Sequence, residues 1–407
     1  MSAAAAPADT ADALTLTRVT RGWLLGFAGA WFGFWLLMML PGQFMVVKLA
    51  SLIDPSEKVG VSSFLIAEMS IVVVLAVPLI GWWCDRSSPR FGRRRTWALG
   101  GFVTATSAFA LVGIQGSWQA AAVLLGVVAI GQSAVLVSLA AMIADQVPIE
   151  QRGRASAAMG IPQVIALALG MVIVTELVPE VGLSWFIIAA LAMLAPLPFL
   201  LGFSEPRIDV TPQPVRRRLQ WSGAYRDFAW AGVSRVLVNA GNLVGTTYLL
   251  YFLVDVLRLD DADSALMVLI LVYLVASALA SWAGGALTDR LRSRRAFVVV
   301  AAGLQVAAAL TLAFSPAWTS SLVAAVLLGL GYGLFLAVDQ ALLTDVLPDE
   351  TTRARDLGIV NSVQHLPIAP LVGWLVLAVA GYTELYVIAA VIMALGGLAV
   401  TRIRSVR

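Results

Sequence analysis

Histidine and cysteine are almost missing from this chain, and each absence excludes something. Cys84 stands alone, so no intramolecular disulfide can form and the redox compartment stays open. His365 is the sole histidine, which removes any histidine-rich metal cluster; no metal and no other cofactor is expected. Charge is scarce too: 13% of the 407 residues are charged, roughly half the share of an ordinary soluble domain. Such a chain cannot cover itself with polar surface in water. With a net charge of only +3, no nucleic-acid partner is expected. The opening residues lack the basic start and apolar core of a signal peptide; small and polar, with Asp9 and Asp12, residues 1–22 read as a short disordered tail. No metal-ligand spacing or Ser/Lys dyad is present, and the loops are too short for a soluble catalytic domain, so an enzyme is not expected.

What is abundant is apolar sequence, at 60% of the chain. Runs of about 20 apolar residues recur, each long enough to cross about 30 Å of hydrocarbon as a helix. They predict an all-α membrane protein with helices at Trp23 to Val47, Val61 to Trp83, Trp97 to Ile114, Trp118 to Ile143, Ala155 to Val178 and Leu183 to Phe203. A polar stretch follows, with Pro206, Pro212, Pro214 and the run Arg216 to Arg218. Six more helices are predicted at Phe228 to Leu253, Ala265 to Leu287, Ala296 to Phe314, Trp318 to Leu343, Leu357 to Ala380 and Tyr386 to Val400. The organisation is thus a tail (1–22), a six-helix bundle (23–203), a linker (204–226) and a second six-helix bundle (227–407).

Basic residues set the orientation. With both termini inside the cell, 23 Lys and Arg fall on inside segments, and only Lys48, Lys58 and Arg258 fall outside. Cytoplasmic loops carry this excess, so a multi-pass protein of the cell (inner) membrane with cytoplasmic termini is expected. The chain also repeats internally. Gly81 to Arg86 (GWWCDR) is answered by Gly285 to Arg290 (GALTDR), and Asp145, Pro148 and Glu150 by Asp345, Pro348 and Glu350 at an offset of 200. Parallel six-helix repeats place a solute site between the halves near the midplane.

On these landmarks the chain resembles the major facilitator superfamily over essentially its whole length. The stretched loop Asp85 to Arg95 (DRSSPRFGRRR) looks like the version in plant sucrose carriers and glycoside/cation symporters. The resemblance implies two pseudo-symmetric six-helix bundles, secondary transport by alternating access, and a neutral sugar or glycoside as the small-molecule substrate, in a monomer. Two departures bear on coupling. Sodium-coupled glycoside symporters carry acids one turn apart on helix 2, whereas Glu68 has Phe64 and Val72 there. Drug/proton antiporters carry a Gly-Pro motif with several glycines on helix 5, where this chain reads MGIPQVIALALG. Proton symport is therefore the leading expectation. A proton-coupled exporter of a drug or secondary metabolite is the alternative, and a non-transporting receptor or enzyme a remote one.

The polar residues inside the runs are the candidate site. Glu68, Arg235, Asp339 and His365 are titratable groups within helices, where a charge needs a partner or a wet cavity, and they are the candidates for proton coupling. Arg235 and Asp339 lie at matching depths on helices 7 and 10, which predicts an ion pair; the rival reading gives Asp339 to the loop beside Asp345 and leaves Arg235 solvated in an inward-open cavity. Trp31 and Trp35 can cover the apolar face of a sugar ring, while Gln43, Gln132, Gln163, Asn239, Asn242, Tyr273, Asn361, Gln364 and His365 supply hydrogen bonds to hydroxyls. Buried aromatic packing and helix-bridging amides are the competing role for these residues. At the cytoplasmic ends, Asp85, Arg86, Arg93, Arg94, Arg95, Asp145, Asp289, Arg290 and Asp345 form a candidate gate, in which the arginines pair with Asp145 or with helix C-terminal carbonyls. Enforcement of topology is the plain alternative for the arginines.

Overall fold

Thr20 starts the first helix: its hydroxyl accepts the Trp23 backbone N–H at 3.1 Å, satisfying a donor that the first turn leaves open. The computed structural model describes residues 18–87, 89, 91–203, 223–291, 293–346 and 366–404. These contain helices α1 (Arg21–Ile53), α2 (Lys58–Arg86), α3 (Arg93–Val112), α4 (Trp118–Gln146), α5 (Arg152–Leu177) and α6 (Val181–Gly202). The second six are α7 (Tyr225–Asp255), α8 (Ala262–Leu291), α9 (Arg294–Phe314), α10 (Trp318–Asp345), α11 (Ile368–Val379) and α12 (Tyr382–Val400). Ten of them are long and apolar enough to cross a bilayer. The described part of α11 is a shorter apolar helix, and α3 opens on three arginines. Large apolar side chains such as Leu79 and Trp282 are 65% and 81% exposed, a surface that only lipid can cover.

Several helices run past their expected ends. The first continues from Val47 to Ile53, the second begins at Lys58, and the third begins a turn early at Arg93, so Lys48, Lys58 and the arginines of the stretched loop sit on helices. A span of apolar residues marks the hydrocarbon, but the helix goes on wherever its backbone bonds do. Asp54 closes the turn between α1 and α2, accepting from the Ser56 hydroxyl at 2.7 Å and the Glu57 N–H at 3.1 Å; these bonds, the Ser56 one foremost, hold its carboxyl below the usual range. Of the eleventh expected helix, Leu357 to His365 lie outside the described residues.

Proline shapes α1 from within. Pro41 has no N–H to give to Leu37, and the helix widens into a π-type turn over Pro41–Met45. The Leu37 carbonyl thus released accepts the Gln132 side-chain amide of α4 at 2.7 Å. In hydrocarbon an orphaned carbonyl costs several kcal/mol, and Gln132 supplies the missing donor.

The repeat seen in the sequence is a repeat of contacts. Arg95 at the start of α3 donates to the Leu200 carbonyl at 2.7 Å, at the end of α6, and Arg295 at the start of α9 donates to the Ile403 carbonyl beyond α12. Gly131 of α4 lets α3 approach so closely that a Cβ would stand 2.7 Å from the Ala105 nitrogen, and Gly331 of α10 does the same against α9, 2.6 Å from the Ala301 carbonyl. The arginines and the glycines of these two correspondences keep the offset of 200. The halves meet along α2 and α11, along α5 and α8, and where the Pro41 turn touches α7.

Candidate functional site

The candidate residues form two unlike walls, one in each half. In the second half, Arg235, Asn239 and Asn242 recur at helical spacing along one face of α7, and Tyr332 and Asp339 along one face of α10. They join as rungs: Arg235 Nη1 to Asp339 Oδ2 at 3.0 Å, and the Tyr332 hydroxyl to Asn239 Oδ1 at 3.1 Å. Above these, the Tyr273 hydroxyl of α8 reaches Asn242 Oδ1 at 3.4 Å, and Asn242 Nδ2 reaches Gln305 Oε1 of α9 at 3.5 Å. Tyr273 and Tyr332 stack with ring centroids 6.1 Å apart. The ion pair expected from matching depths therefore forms, and it is nearly closed to solvent, with side chains 8% and 5% exposed. Asn239 also returns a bond to its own helix, through Nδ2 to the Arg235 carbonyl at 2.8 Å.

The first half presents aromatic and thioether surface instead. Trp31 packs against Phe27, Phe34 and Trp35 and is itself buried, so its ring belongs to the core rather than to a surface a solute could reach. Trp35 keeps an open edge and donates from Nε1 to the Met159 carbonyl of α5 at 2.9 Å, in the turn before Pro162. Gln163 rests against the Met39 sulfur at 3.8 Å, and Gln43, in the π-type turn, is half-buried. Gln132 is buried, its amide nitrogen committed to Leu37. Trp35, Gln43, Gln163, Asn239 and Tyr273 thus retain open surface, while Trp31, Gln132 and Asn242 support from behind. Asn361, Gln364 and His365 lie outside the described residues. Sequence reading missed Tyr332 and Gln305, although both stand on apolar helices at positions a polar side chain occupies only with a partner.

Glu68 joins neither wall. It continues a helical stripe of α2, with Phe64, Ile71, Leu75, Leu79 and Trp82, whose other members are all exposed.

At the end of the bundle where α1 begins and α12 stops, Arg94 is the hub. It is 6% exposed and reaches Asp85 Oδ1 through Nη1 and Asp145 Oδ2 through Nε, both at 2.9 Å, with the Cys84 sulfur at 3.3 Å. Arg93 lies 3.7 Å from Asp145, Arg95 binds the end of α6, and Arg86 lies over the Trp82 ring of its own helix. These contacts tie α2, α3, α4 and α6 together within one half. The side chains of Asp289, Arg290 and Asp345 lie outside the described residues. Asp85→Asn should slow solute turnover several-fold while leaving the Kd for solute within about twofold, because the residue touches helix ends and not the walls. Equilibrium binding beside single-turnover transport measures this, and an unchanged rate would remove Asp85 from the switching apparatus.

The opposite end was not foreseen. Lys48 of α1 pairs with Asp263 of α8 at 2.5 Å, and Lys58 of α2 with Asp255 of α7 at 2.6 Å. The Tyr251 hydroxyl donates to the Val47 carbonyl at 2.9 Å, Ser63 and Tyr248 share a hydrogen bond of 2.7 Å, and the Thr175 hydroxyl meets the Met267 sulfur at 3.2 Å. Among the described residues, these polar contacts between the halves gather at this one end. The molecule is closed there.

A family model for the Major Facilitator Superfamily matches residues 22–282 and 236–407, all but the first residues of the chain. The chain belongs to the major facilitator superfamily. A search of curated proteins finds no significant match. Among solved structures, the nucleoside transporter NupG is similar at 12% identity and a TM-score of 0.69, over 95% of this chain and 100% of that one. A bacterial homologue of the human lysosomal transporter Spinster, inward-facing and unoccupied, is similar at 13% identity and 0.65, over 94% and 96%. At such identities the likeness is one of fold. The contacts between the halves run along α2 with α11 and along α5 with α8.

Proposed function

We propose that this protein is a proton-coupled symporter that carries a neutral sugar or glycoside by alternating access, in the cell inner membrane with both termini cytoplasmic. Its units are the bundles 23–203 and 227–407, joined by a cytoplasmic linker. The observation that carries the reading is the polar ladder of the second half, in which neutral amide and phenol groups run directly into a buried Arg235–Asp339 pair. Neutral donors and acceptors suit hydroxyls, Trp35 can cover an apolar ring face, and the acid of the pair can accept a proton when Arg235 is drawn elsewhere. His365 is the further proton-carrying candidate. The closed end then faces outward.

The stacked tyrosines favour a second solute of the same chemistry, a nucleoside, which is a glycoside with a flat base; NupG, which shares the fold, is itself a nucleoside transporter. Proteoliposomes with an imposed proton gradient test all of this. Labelled sugars, aryl glycosides and nucleosides are offered in counterflow, and a neutral glycoside or nucleoside should be accumulated and lost on adding a protonophore. Gradient-driven efflux of apolar cationic drugs, with no glycoside uptake, would establish the exporter instead.

Orientation has its own check. In a Cys84→Ser background, cysteine at exposed Asp260 should react with an impermeant thiol reagent on intact cells, and cysteine at exposed Glu150 only after permeabilisation. The reverse pattern would invert the topology.

A further inference from the structure

Glu68 has no place in either wall, and its surroundings give it a different one. The stripe Phe64, Glu68, Ile71, Leu75, Leu79 and Trp82 follows one face of α2 from end to end, and its apolar members are 47% to 65% exposed. Phe64 lies at the closed end, where a side chain turned toward the partner half is covered, as Ser63 is at 3% exposure by Tyr248. This face therefore looks out of the bundle, into the bilayer. Glu68 stands ten residues from Lys58, about 15 Å along the helix axis.

Its carboxyl folds back against α4. A Cβ added to Gly126 would stand 2.8 Å from Glu68 Oε1, so glycine at that position opens the niche. Glu68 Oε2 is fully buried there and has no hydrogen-bond partner among the described residues. The described lengths of α4 and α11, which flank α2, carry no charged residue at this depth; Lys48 and Lys58 are engaged with Asp263 and Asp255 at the helix ends. A carboxylate with neither cation nor water costs several kcal/mol, whereas the neutral acid is tolerated.

We propose that Glu68 is a protonated carboxylic acid presented to the lipid, in a niche kept open by Gly126, and that it is a covalent modification site for apolar carbodiimides. The carboxyl proton moves to a carbodiimide nitrogen and the carboxyl oxygen bonds to the central carbon, giving an O-acylisourea. Transfer of the acyl group from oxygen to nitrogen then leaves a stable N-acylurea. The whole reagent is retained, nothing is oxidised or reduced, and no leaving group departs. None of this depends on the solute assigned above.

The test uses the intact wild-type chain in membranes, with dicyclohexylcarbodiimide against a water-soluble carbodiimide bearing a quaternary ammonium, both applied to permeabilised vesicles. Peptide mass spectrometry reads the adduct at Glu68, and exposed Glu150 and Asp260 serve as internal standards. The apolar reagent should modify Glu68 at least about tenfold faster than the charged one, and the standards should show no such preference. A smaller ratio would mean that Glu68 faces an aqueous path. No adduct with either reagent would mean that the carboxyl is ionised or sealed. Either result overturns the proposal.

Discussion

Arg235→Gln and Asp339→Asn should each lower gradient-driven transport by about thirtyfold or more, and the double substitution should lose less than the two effects combined. The reason is burial: the pair closes at 3.0 Å with both side chains under a tenth exposed. Removing one partner of such a pair leaves a charge uncompensated and typically costs about 3–5 kcal/mol. Arg235 cannot escape by losing its proton, so Asp339→Asn strands a cation, while Arg235→Gln strands an acid that can neutralise itself. Asp339→Asn should accordingly be the more damaging of the two. Uptake in proteoliposomes and thermal unfolding in detergent, measured on all four members of the cycle, decide the matter. Strict additivity in both would show that the groups act apart. The Tyr332→Phe variant, which removes the hydroxyl next along the ladder, should alter solute affinity and leave unfolding nearly unchanged.

Lys48→Gln combined with Lys58→Gln should open the closed end. The two lysines cross between halves to Asp263 and Asp255, with side chains between 21% and 32% exposed, so water weakens each pair without abolishing it. At about 0.5–1 kcal/mol apiece, the loss of both shifts the balance of states by about five- to thirtyfold. Cysteine at position 66, one turn inward of Ser63 on α2, reports the shift in a Cys84→Ser background. Its reaction with an impermeant reagent from the closed side should rise about tenfold in the double variant. Exchanging the charges of one pair, Lys48→Asp with Asp263→Lys, should hold the reaction near its original rate. A rate indifferent to the lysines would leave closure to Tyr248, Tyr251 and the apolar packing around them.

These two sites differ in how far they were legible. Arg235 and Asp339 are conspicuous because hydrocarbon leaves so few charges in a span, and equal depth on adjacent helices makes one pairing natural. Lys48 and Lys58 looked like loop residues, because apolar sequence ends near Val47 and resumes near Val61. Their helices extend past the hydrocarbon, and only the approach of the two halves brings each lysine to its acid. Gln132 was legible as a polar residue in a span, but not as the donor for a carbonyl that Pro41 had freed on another helix.

Composition and pattern alone determined the solvent, the two six-helix halves and the superfamily, because insertion in a bilayer forces long apolar runs and a duplicated chain keeps its landmarks at nearly the same offset. Tertiary structure decided which polar side chains have open surface, which serve the backbone, and that Glu68 looks toward lipid. The reason is rotational. Sequence position gives depth along a helix at 1.5 Å per residue, but the direction in which a side chain points is set by which neighbours the helix packs against, and α2 is turned by α4 on one side and α11 on the other.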